Sequence, residues 1–133
     1  MKLISPEKVY IKKSTIPNGG RGVFAKSDIK KGEIIEVAPA LILEFSEFID
    51  SYWNLLFEYY FWLDDYVVLG LGYGSLYNHS AAPNCRYEIS KEDKTITFTA
   101  TRDISKDEEI YFDYKQDSKS DLPLWFERDI IPK

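Results

Sequence analysis

The stretch of sequence that decides the fold reads Tyr77-Asn78-His79-Ser80-Ala81-Ala82-Pro83-Asn84-Cys85. It follows an apolar run with interspersed glycines, residues 67–77, which we interpret as a strand that ends in the polar Asn-His-Ser segment. Strand ends and loops that a rigid scaffold holds in place carry much of the binding chemistry of proteins. A lone histidine such as His79 is more often structural than ligand-binding, so the segment is a candidate site that needs further support.

The composition is that of one ordinary globular domain. Of the 133 residues, 44% are hydrophobic and 16% aromatic, enough for a core with aromatic rings left to line a groove. One cysteine and one histidine exclude a disulfide framework and a structural zinc site of the usual kind, so we expect no bound metal. The formal net charge of -5 repels nucleic acid and favours basic partners.

Residues 1–8 lack the apolar stretch of a signal peptide, and no apolar run in the sequence is long enough to span a membrane. We therefore expect a soluble protein of the cytoplasm that does not bind membranes. If the chain comes from a virus or a pathogen, the nucleus of a host is the alternative location.

Short blocks of alternating apolar and polar residues recur along the chain, separated by turn-forming residues. These blocks predict strands at residues 9–14, 22–25, 34–43, 59–63, 66–71, 85–89, 95–101 and 110–114. One short helix is expected after Ser46, where apolar and aromatic residues recur between Ile49 and Phe57 at helical spacing. Two turns, at residues 29–33 and 104–109, have similar sequences, and each leads into a strand. Many short strands with little helix predict a mostly-β fold.

A second motif is the glycine cluster Asn18-Gly19-Gly20-Arg21-Gly22. Taken alone it predicts a hairpin turn, since glycine and asparagine tolerate the positive φ that tight turns require. The functional alternative is that Gly20 and Gly22 lack side chains so that a ligand can lie against the backbone. The cluster is not a dinucleotide-binding fingerprint, because the third glycine and the following helix are absent.

The third motif is Glu108-Glu109-Ile110-Tyr111-Phe112-Asp113-Tyr114. Taken alone it predicts an edge strand with alternating faces, on which Ile110, Phe112 and Tyr114 share one side. Such a row is suited to the wall of a channel for an extended, apolar substrate arm.

Each motif is weak alone, but their joint order and spacing resemble the SET-domain protein lysine methyltransferases. The resemblance covers about residues 9–114 and includes the segments 20–25, 29–35, 78–85 and 107–114. The chain is most similar to the minimal SET proteins of viruses and bacteria, which lack zinc-binding flanks. The resemblance implies a SET fold: mostly β with a few short helices, small curved β-sheets and a C-terminal pseudoknot.

The resemblance also implies S-adenosylmethionine as the cofactor, bound on the face opposite to the substrate lysine. By position, the backbone around Gly20, Arg21 and Gly22 is expected to cradle its methionine part. The Asn78 side chain is expected to bind the amino-acid end, and the backbone of His79 to bind the adenine edge.

Tyr114 falls on the position of the family's catalytic tyrosine and is expected to border the cofactor as well. The expected lysine channel is lined by Tyr73, Tyr77, Phe112 and Tyr114. Methyl transfer from a sulfonium to an amine is an in-line displacement, so the protein has to align the amine and exclude water. Family members carry phenylalanine or tyrosine at the Phe112 position, and phenylalanine implies di- or trimethylation.

The resemblance further implies a single SET domain over residues 1–133, with a core of about 9–114, a variable substrate-contacting insert at about 44–68 and a tail at 115–133. In the tail, Trp125 or Phe126 is expected to pack over the adenine, although a tail strapped onto the core fits the sequence equally well. The insert is acidic and aromatic, which suits a basic peptide such as a histone or ribosomal-protein tail, unless it is only a solvated helix face.

The implied activity is methylation of lysine in a basic protein. The rival is a catalytically silent SET module that binds a lysine-bearing peptide or a partner, and the joint presence of Tyr114, Asn78 and both glycines favours the enzyme. Methylation of a small free amine is a third alternative, against which the acidic insert argues weakly. Minimal SET proteins of the viral type are homodimers, so a second copy is an expected partner, with the aromatic residues between Tyr52 and Trp62 as the interface.

Overall fold

The computed structural model describes residues 2–44 and 59–116, apart from the side chain of Trp62. All regular structure in this part of the chain is β, so the mostly-β prediction is confirmed. The strands are β1 (Val9–Lys13), β2 (Arg21–Ala25), β3 (Ile34–Glu44), β4 (Tyr60–Leu63), β5 (Tyr66–Gly70), β6 (Asn78–His79), β7 (Cys85–Ser90), β8 (Thr95–Ala100) and β9 (Glu109–Phe112). The helix predicted after Ser46 lies outside the described residues.

The strands form two sheets that share one core. The four-stranded sheet has the order β1-β2-β9-β6, and the five-stranded sheet has the order β4-β5-β3-β8-β7. Neighbouring strands are antiparallel except for β6 and β9, which run parallel. The shared core includes Val23 and Ile110 from the first sheet and Ile35 and Phe98 from the second.

The C-terminal strand β9 lies inside its sheet, between β2 and β6, so the prediction of an edge strand for residues 110–114 is wrong. The buried Asn84 side chain takes part in enclosing it. Asn84 Nδ2 donates to the Glu109 carbonyl at 2.9 Å, and Asn84 Oδ1 accepts the N–H of Tyr111 at 2.9 Å. Segments from earlier in the chain thus enclose the last strand, in keeping with the pseudoknot of the SET fold.

The apolar run 67–77 is not one strand, contrary to the prediction. β5 ends at Gly70, residues 71–76 form turns, and the chain returns to a strand only at β6. Gly72 adopts a positive φ of 60°. Gly74 packs so closely on Gly70 that a Cβ on Gly74 would lie 3.2 Å from the Cα of Gly70. These turns carry the chain away from β5 and bring Asn78 and His79 beside β9.

The two turns with similar sequences pack against each other. Ile29 and Ile104 exchange both backbone hydrogen bonds, each at 2.8 Å from N to O. At equivalent positions of the two turns, Gly32 and Asp107 have positive φ, 87° and 67°. An aspartate before each turn accepts a backbone N–H of the other turn: Asp103 from Lys31 at 2.8 Å and Asp28 from Lys106 at 2.9 Å. The repeated sequence therefore encodes two matching turns that fix the starts of β3 and β9.

Candidate active site

Asn78 and His79 lie on β6, the short strand that pairs with β9. Asn78 is opposite Tyr111 and His79 opposite Phe112 in parallel register. The backbone N–H of Ser80 donates to the Phe112 carbonyl at 3.2 Å, which extends the pairing by one residue. The Asn-His-Ser segment and the C-terminal tyrosine segment, two separate motifs in the sequence, are therefore held side by side.

Both N–H bonds of the Asn78 side chain are used within the protein. Nδ2 donates to the Arg21 carbonyl at 3.0 Å and to Glu109 Oε2 at 3.0 Å. A primary amide has two donor hydrogens and one acceptor oxygen, so what Asn78 can offer a ligand is its oxygen Oδ1. The side chain is thereby fixed against the glycine cluster with a defined orientation.

The carboxylate that holds Asn78 belongs to Glu109, a residue that the sequence did not single out. Glu109 is 3% exposed. It accepts hydrogen bonds from Ser14 Oγ at 2.7 Å, Thr15 N at 2.9 Å, Thr15 Oγ1 at 2.6 Å, Asn78 Nδ2 at 3.0 Å and Tyr111 O–H at 3.2 Å. Ser14 and Thr15 are 95 and 94 residues away in the sequence, so no local pattern indicates this cluster.

Glu109 is a buried anion at neutral pH. Burial raises the pKa of its carboxyl, but the hydrogen bonds from Asn78, Thr15 and Ser14 together outweigh burial, and the net pKa lies below the usual range. Hydrogen bonds from donors to a carboxylate stabilise its charged form. The four-stranded sheet therefore carries a fixed negative charge that is hydrogen-bonded to the side-chain nitrogen of Asn78.

Gly20 and Gly22 are glycines for different reasons. Gly20 has a positive φ of 64°, and a Cβ there would meet no atom of residues 2–44 and 59–116 within 4 Å, so these residues leave this side of the backbone open. A Cβ on Gly22 would collide with the Glu109 carboxylate and lie 3.1 Å from Asn78 Nδ2. The protein's own carboxylate thus fills the space beside Gly22, whereas Gly20 leaves its face open to a ligand. The exposed Arg21 between them contributes its carbonyl to Asn78.

The His79 ring holds the backbone at Tyr114. Its Nδ1 accepts the Tyr114 N–H at 3.0 Å, which requires that this nitrogen carry no proton. Asp113 Oδ1 lies 3.6 Å from the same nitrogen, but a neutral ring forms no ion pair with it. In this arrangement the histidine ring anchors the segment that follows β9.

The hydroxyl of Tyr114 is oriented by the backbone. It donates to the Tyr77 carbonyl at 2.8 Å, and the Tyr114 ring centroid lies 5.1 Å from those of His79 and Phe112. Burial raises the pKa of the phenol well above its ordinary value, so the group stays protonated at neutral pH. A phenol that donates its O–H retains acceptor capacity on its oxygen. The geometry therefore suits Tyr114 to orient a reacting group and not to act as a base.

The residues predicted to line the lysine channel differ in exposure. Phe112 is 4% exposed and Tyr77 is 1% exposed, and the Tyr77 ring stacks on Phe98 with centroids 4.4 Å apart. Tyr73, in the turns before β6, and Tyr114 are only partly buried. The rings of Tyr77, Phe112 and Tyr114 thus form one aromatic cluster, with Phe112 and Tyr77 in its interior and Tyr114 nearer the surface. Tyr73 packs against the same hydrophobic core.

Some predicted features lie outside the described residues. These are Trp125 and Phe126, which were expected to cover the cofactor, and residues 45–58 of the insert. Where the structure describes the chain, no group of three His, Cys, Asp or Glu side chains could hold a metal ion. The same residues include no helix long and apolar enough to cross a bilayer. Burial raises the pKa of Cys85 to about 12, so it is a protonated core thiol and not a nucleophile.

Comparison with known proteins identifies relatives that match this arrangement. The profile of the SET domain family matches residues 20–115. A histone-lysine N-methyltransferase specific for H3 lysine-37 from Schizosaccharomyces pombe is 33% identical over 110 residues, which are 81% of this chain and 71% of that protein. A histone-lysine N-methyltransferase specific for H3 lysine-4 from Emericella nidulans is 38% identical over 81 residues, which are 56% of this chain and only 6% of that protein.

Solved structures show the same fold. The crystal structure of a candidate histone methyltransferase of Plasmodium falciparum has a TM-score of 0.66 at 39% identity, and the match covers 80% of this chain and 92% of that chain. A humanized mutant of the Chaetomium thermophilum Polycomb Repressive Complex 2, bound to an inhibitor, has a TM-score of 0.68 at 25% identity and is covered over 15% of its chain. With the family profile matched over most of its length, the chain belongs to the SET-domain family of S-adenosylmethionine-dependent protein lysine methyltransferases.

Proposed function

We propose that the protein transfers methyl groups from S-adenosylmethionine to the ε-amine of a lysine in a basic protein of the histone or histone-like class. The observation that carries the proposal is the Tyr114 hydroxyl, held on the Tyr77 carbonyl next to the Asn78–His79 strand. A tyrosine placed in this way serves methyl transfer by alignment of the amine and needs no further nucleophile or metal.

The glycine cluster and β6 fit the amino-acid end of the cofactor. The backbone at Gly20 has an open face, and Asn78 offers Oδ1, an acceptor suited to an ammonium group. The Glu109 anion lies one hydrogen bond behind Asn78 and favours a positive charge in front of it. Gly20, Arg21, Asn78 and His79 are therefore the residues that would hold the cofactor, which supplies a methyl group on a positively charged sulfur. Gly22, which was expected to cradle it, makes room for the Glu109 carboxylate instead.

The substrate lysine has to reach the reaction as a neutral amine, although its ordinary pKa is about 10.4. The aromatic cluster around Phe112 and Tyr114 disfavours the ammonium form, because an apolar surrounding raises the free energy of a buried charge. The proton leaves to water before the amine is aligned. Tyr114 then orients the amine through its hydroxyl oxygen.

Two observations support a basic protein substrate. The net charge of the chain is -5, and the two relatives described above are named as histone-lysine methyltransferases. The rival function, binding of a lysine-bearing peptide without catalysis, predicts the same affinity for basic partners. The two functions differ in one measurable respect, since a silent module produces no methyl-lysine.

We also propose that the reaction proceeds to di- or trimethyl-lysine. Phe112 is buried beside Tyr114 and carries no hydroxyl that could hold a water or an amine hydrogen. Phe112→Tyr adds such a hydroxyl, and we expect it to shift the products toward monomethyl-lysine, as measured by mass spectrometry of a methylated histone peptide. An unchanged product distribution would refute this part of the proposal.

The activity is tested with radiolabelled S-adenosylmethionine and a panel of histones and other basic proteins. We expect label on at least one protein with the wild type, loss of label with Tyr114→Phe, and retention with the matched control Tyr10→Phe. Tyr10 is suited to this purpose because its hydroxyl bonds to Asp107 at the surface, far in the fold from β6. Cofactor binding without label on any protein, peptide or small amine would favour the silent module.

The homodimer expected from the resemblance is a separate proposal. Its interface, the aromatic segment between Tyr52 and Trp62, lies mostly outside the described residues. Light scattering at assay concentration tests it, and a monomeric mass would reject it.

A further inference from the structure

A second buried carboxylate, Glu36, lies in the five-stranded sheet and belongs to none of the motifs above. It is 1% exposed. The pairing of β3 with β8 shifts register between Ile34 and Glu36, and the residues on both sides of Glu36, Ile35 and Val37, are buried with it. Residues 35–38 are all buried, so both faces of β3 are covered here and the Glu36 side chain lies in the core beside the bulge.

Both oxygens of Glu36 hold the turns that precede β6. Oε1 accepts the Tyr77 hydroxyl at 2.9 Å, and Oε2 accepts the backbone N–H of Tyr73 at 3.0 Å. A Cβ on Gly72 would lie 2.6 Å from Oε2, so glycine at this position makes room for the carboxylate. Glu36 therefore determines the conformation of residues 72–77 from inside the core.

The same turns hold the hydroxyl of Tyr114. The Tyr77 side chain is fixed by Glu36 at one end, while its backbone carbonyl accepts the Tyr114 O–H at 2.8 Å. The Tyr77 ring stacks on Phe98 and lies 6.2 Å from the ring of Phe112. A continuous path of direct contacts thus runs from Glu36 through Tyr77 to Tyr114.

We propose that Glu36 is a positioning residue for methyl transfer: by holding the Tyr77 hydroxyl and the Tyr73 N–H, it places the Tyr77 carbonyl that orients the hydroxyl of Tyr114. This inference rests on the proposed function, because it assigns Glu36 a role in the reaction that Tyr114 serves. Glu36 does not touch the cofactor residues of the glycine cluster, so its effect is on alignment of the amine and not on cofactor affinity.

Two variants weaken this path without removing a ring. Glu36→Gln keeps the shape but replaces one acceptor oxygen with an N–H donor. If the remaining oxygen accepts the Tyr73 N–H, the Tyr77 hydroxyl has to turn and accept from the new N–H, so the hydroxyl hydrogen of the buried Tyr77 loses its acceptor. Tyr77→Phe keeps the ring and the backbone carbonyl and removes only the hydroxyl. Glu33→Gln makes the same chemical change as Glu36→Gln three residues earlier, at the surface, and is the matched control.

We expect kcat on a histone substrate to fall about 10- to 100-fold in Glu36→Gln and in Tyr77→Phe, because misplacement of an aligning group by a fraction of an ångström costs rate steeply. KM for the cofactor and its dissociation constant should change less than about twofold, and Glu33→Gln should behave as the wild type. The double variant should be no slower than the slower single variant, because both changes interrupt one path. A kcat near the wild-type value in both single variants, measured where circular dichroism shows them folded, overturns the proposal.

A second readout does not depend on activity. In protein with 13C-labelled tyrosine, the phenol carbon signal of Tyr114 should shift in Glu36→Gln and stay in place in Glu33→Gln. If the wild type methylates no substrate, the proposed function fails, yet this signal still decides the role of Glu36. An unchanged Tyr114 signal in folded Glu36→Gln and in Tyr77→Phe contradicts the inference.

Discussion

Two buried glutamates, one in each sheet, differ in their surroundings more than in their burial. Glu109 is 3% exposed and Glu36 is 1% exposed. Glu109 accepts five hydrogen bonds and has a pKa below the usual range. Glu36 accepts one from Tyr73 and one from Tyr77, and burial raises its pKa. At Glu109 the hydrogen bonds outweigh burial and favour the charged form of the carboxyl group, whereas at Glu36 burial outweighs the two hydrogen bonds.

The difference matches what each side of the site requires. Glu109 places a negative charge behind Asn78, where the positively charged end of the cofactor is proposed to bind. Glu36 holds Tyr77 beside the aromatic cluster, where the substrate lysine is proposed to enter, and burial raises the pKa of its carboxyl.

The largest expected effect is that of Glu109→Gln. The variant loses the charge that its donors stabilise and places an N–H against one of them, so we expect a loss of about 2–4 kcal/mol in the free energy of unfolding at pH 7. Cofactor affinity should fall at least about tenfold, since Asn78 loses the charged one of its two hydrogen-bond acceptors. Denaturant unfolding and isothermal titration measure the two quantities. Equal losses of unfolding free energy and of cofactor affinity in Glu109→Gln and Glu36→Gln would contradict the difference between the two carboxylates.

The glycines beside the two carboxylates provide the next test. Gly22→Ala collides with Glu109, and Gly72→Ala collides with Glu36 at a positive φ, so each should lose about 1–3 kcal/mol of stability. Gly22→Ala should weaken cofactor binding, whereas Gly72→Ala should lower kcat with cofactor binding preserved. The comparison fails if both variants alter the same kinetic parameter.

The pH dependence of stability should have opposite signs at the two glutamates. The folded pKa of Glu109 lies below its unfolded value of about 4.3, so its contribution is present above that pH and is lost as the pH falls through the folded pKa. The folded pKa of Glu36 is raised, so its contribution is present below about pH 4.3 and is lost as the pH rises through the folded pKa. Unfolding curves of the wild type and of each Glu→Gln variant between about pH 3 and 8 measure these slopes. If the contributions of the two glutamates to stability changed with pH in the same direction, the opposite pKa shifts would be contradicted.

The smallest expected effect is that of Tyr111→Phe. Its hydroxyl lies 2.9 Å from Thr15 Oγ1 and donates to Glu109 at 3.2 Å, at the partly exposed edge of the cluster. Four donors to Glu109 remain, so the expected loss is about 0.5–1 kcal/mol, with cofactor affinity changed little. A loss as large as that of Glu109→Gln would show that the cluster depends on a single bond.

Most of the strand pattern could be predicted from the sequence, because alternation and turn residues act locally. Among the described residues, every strand except β6 begins and ends within two residues of the predicted bounds. The similar sequences of the turns at residues 29–33 and 104–109 could be recognised, but the pairing of the two turns in the fold could not be predicted. The placement of β9 inside its sheet was missed for the same reason, since the sequence does not show which strands become neighbours.

The two carboxylates could not be predicted, for different physical reasons. Glu109 acquires its role from donors more than 90 residues away and follows another glutamate in what reads as a charged turn. Glu36 lies in a run of four consecutive buried residues, 35–38, where both faces of β3 are covered, and the sequence of one strand does not show what covers its second face. Asn78, His79 and Tyr114 could be predicted because they match motifs of a known family. The resemblance implies no role for either Glu109 or Glu36.

The most direct test of the central claim is a single-turnover measurement of methyl transfer to a histone lysine, with wild type, Tyr114→Phe and Tyr10→Phe side by side at saturating S-adenosylmethionine. We expect methyl-lysine from the wild type and from Tyr10→Phe. For Tyr114→Phe we expect a rate of methyl transfer lower by at least about 100-fold, although that variant still binds the cofactor. An equal rate from Tyr114→Phe, or no methyl-lysine from the wild type on any basic protein, would contradict the central claim.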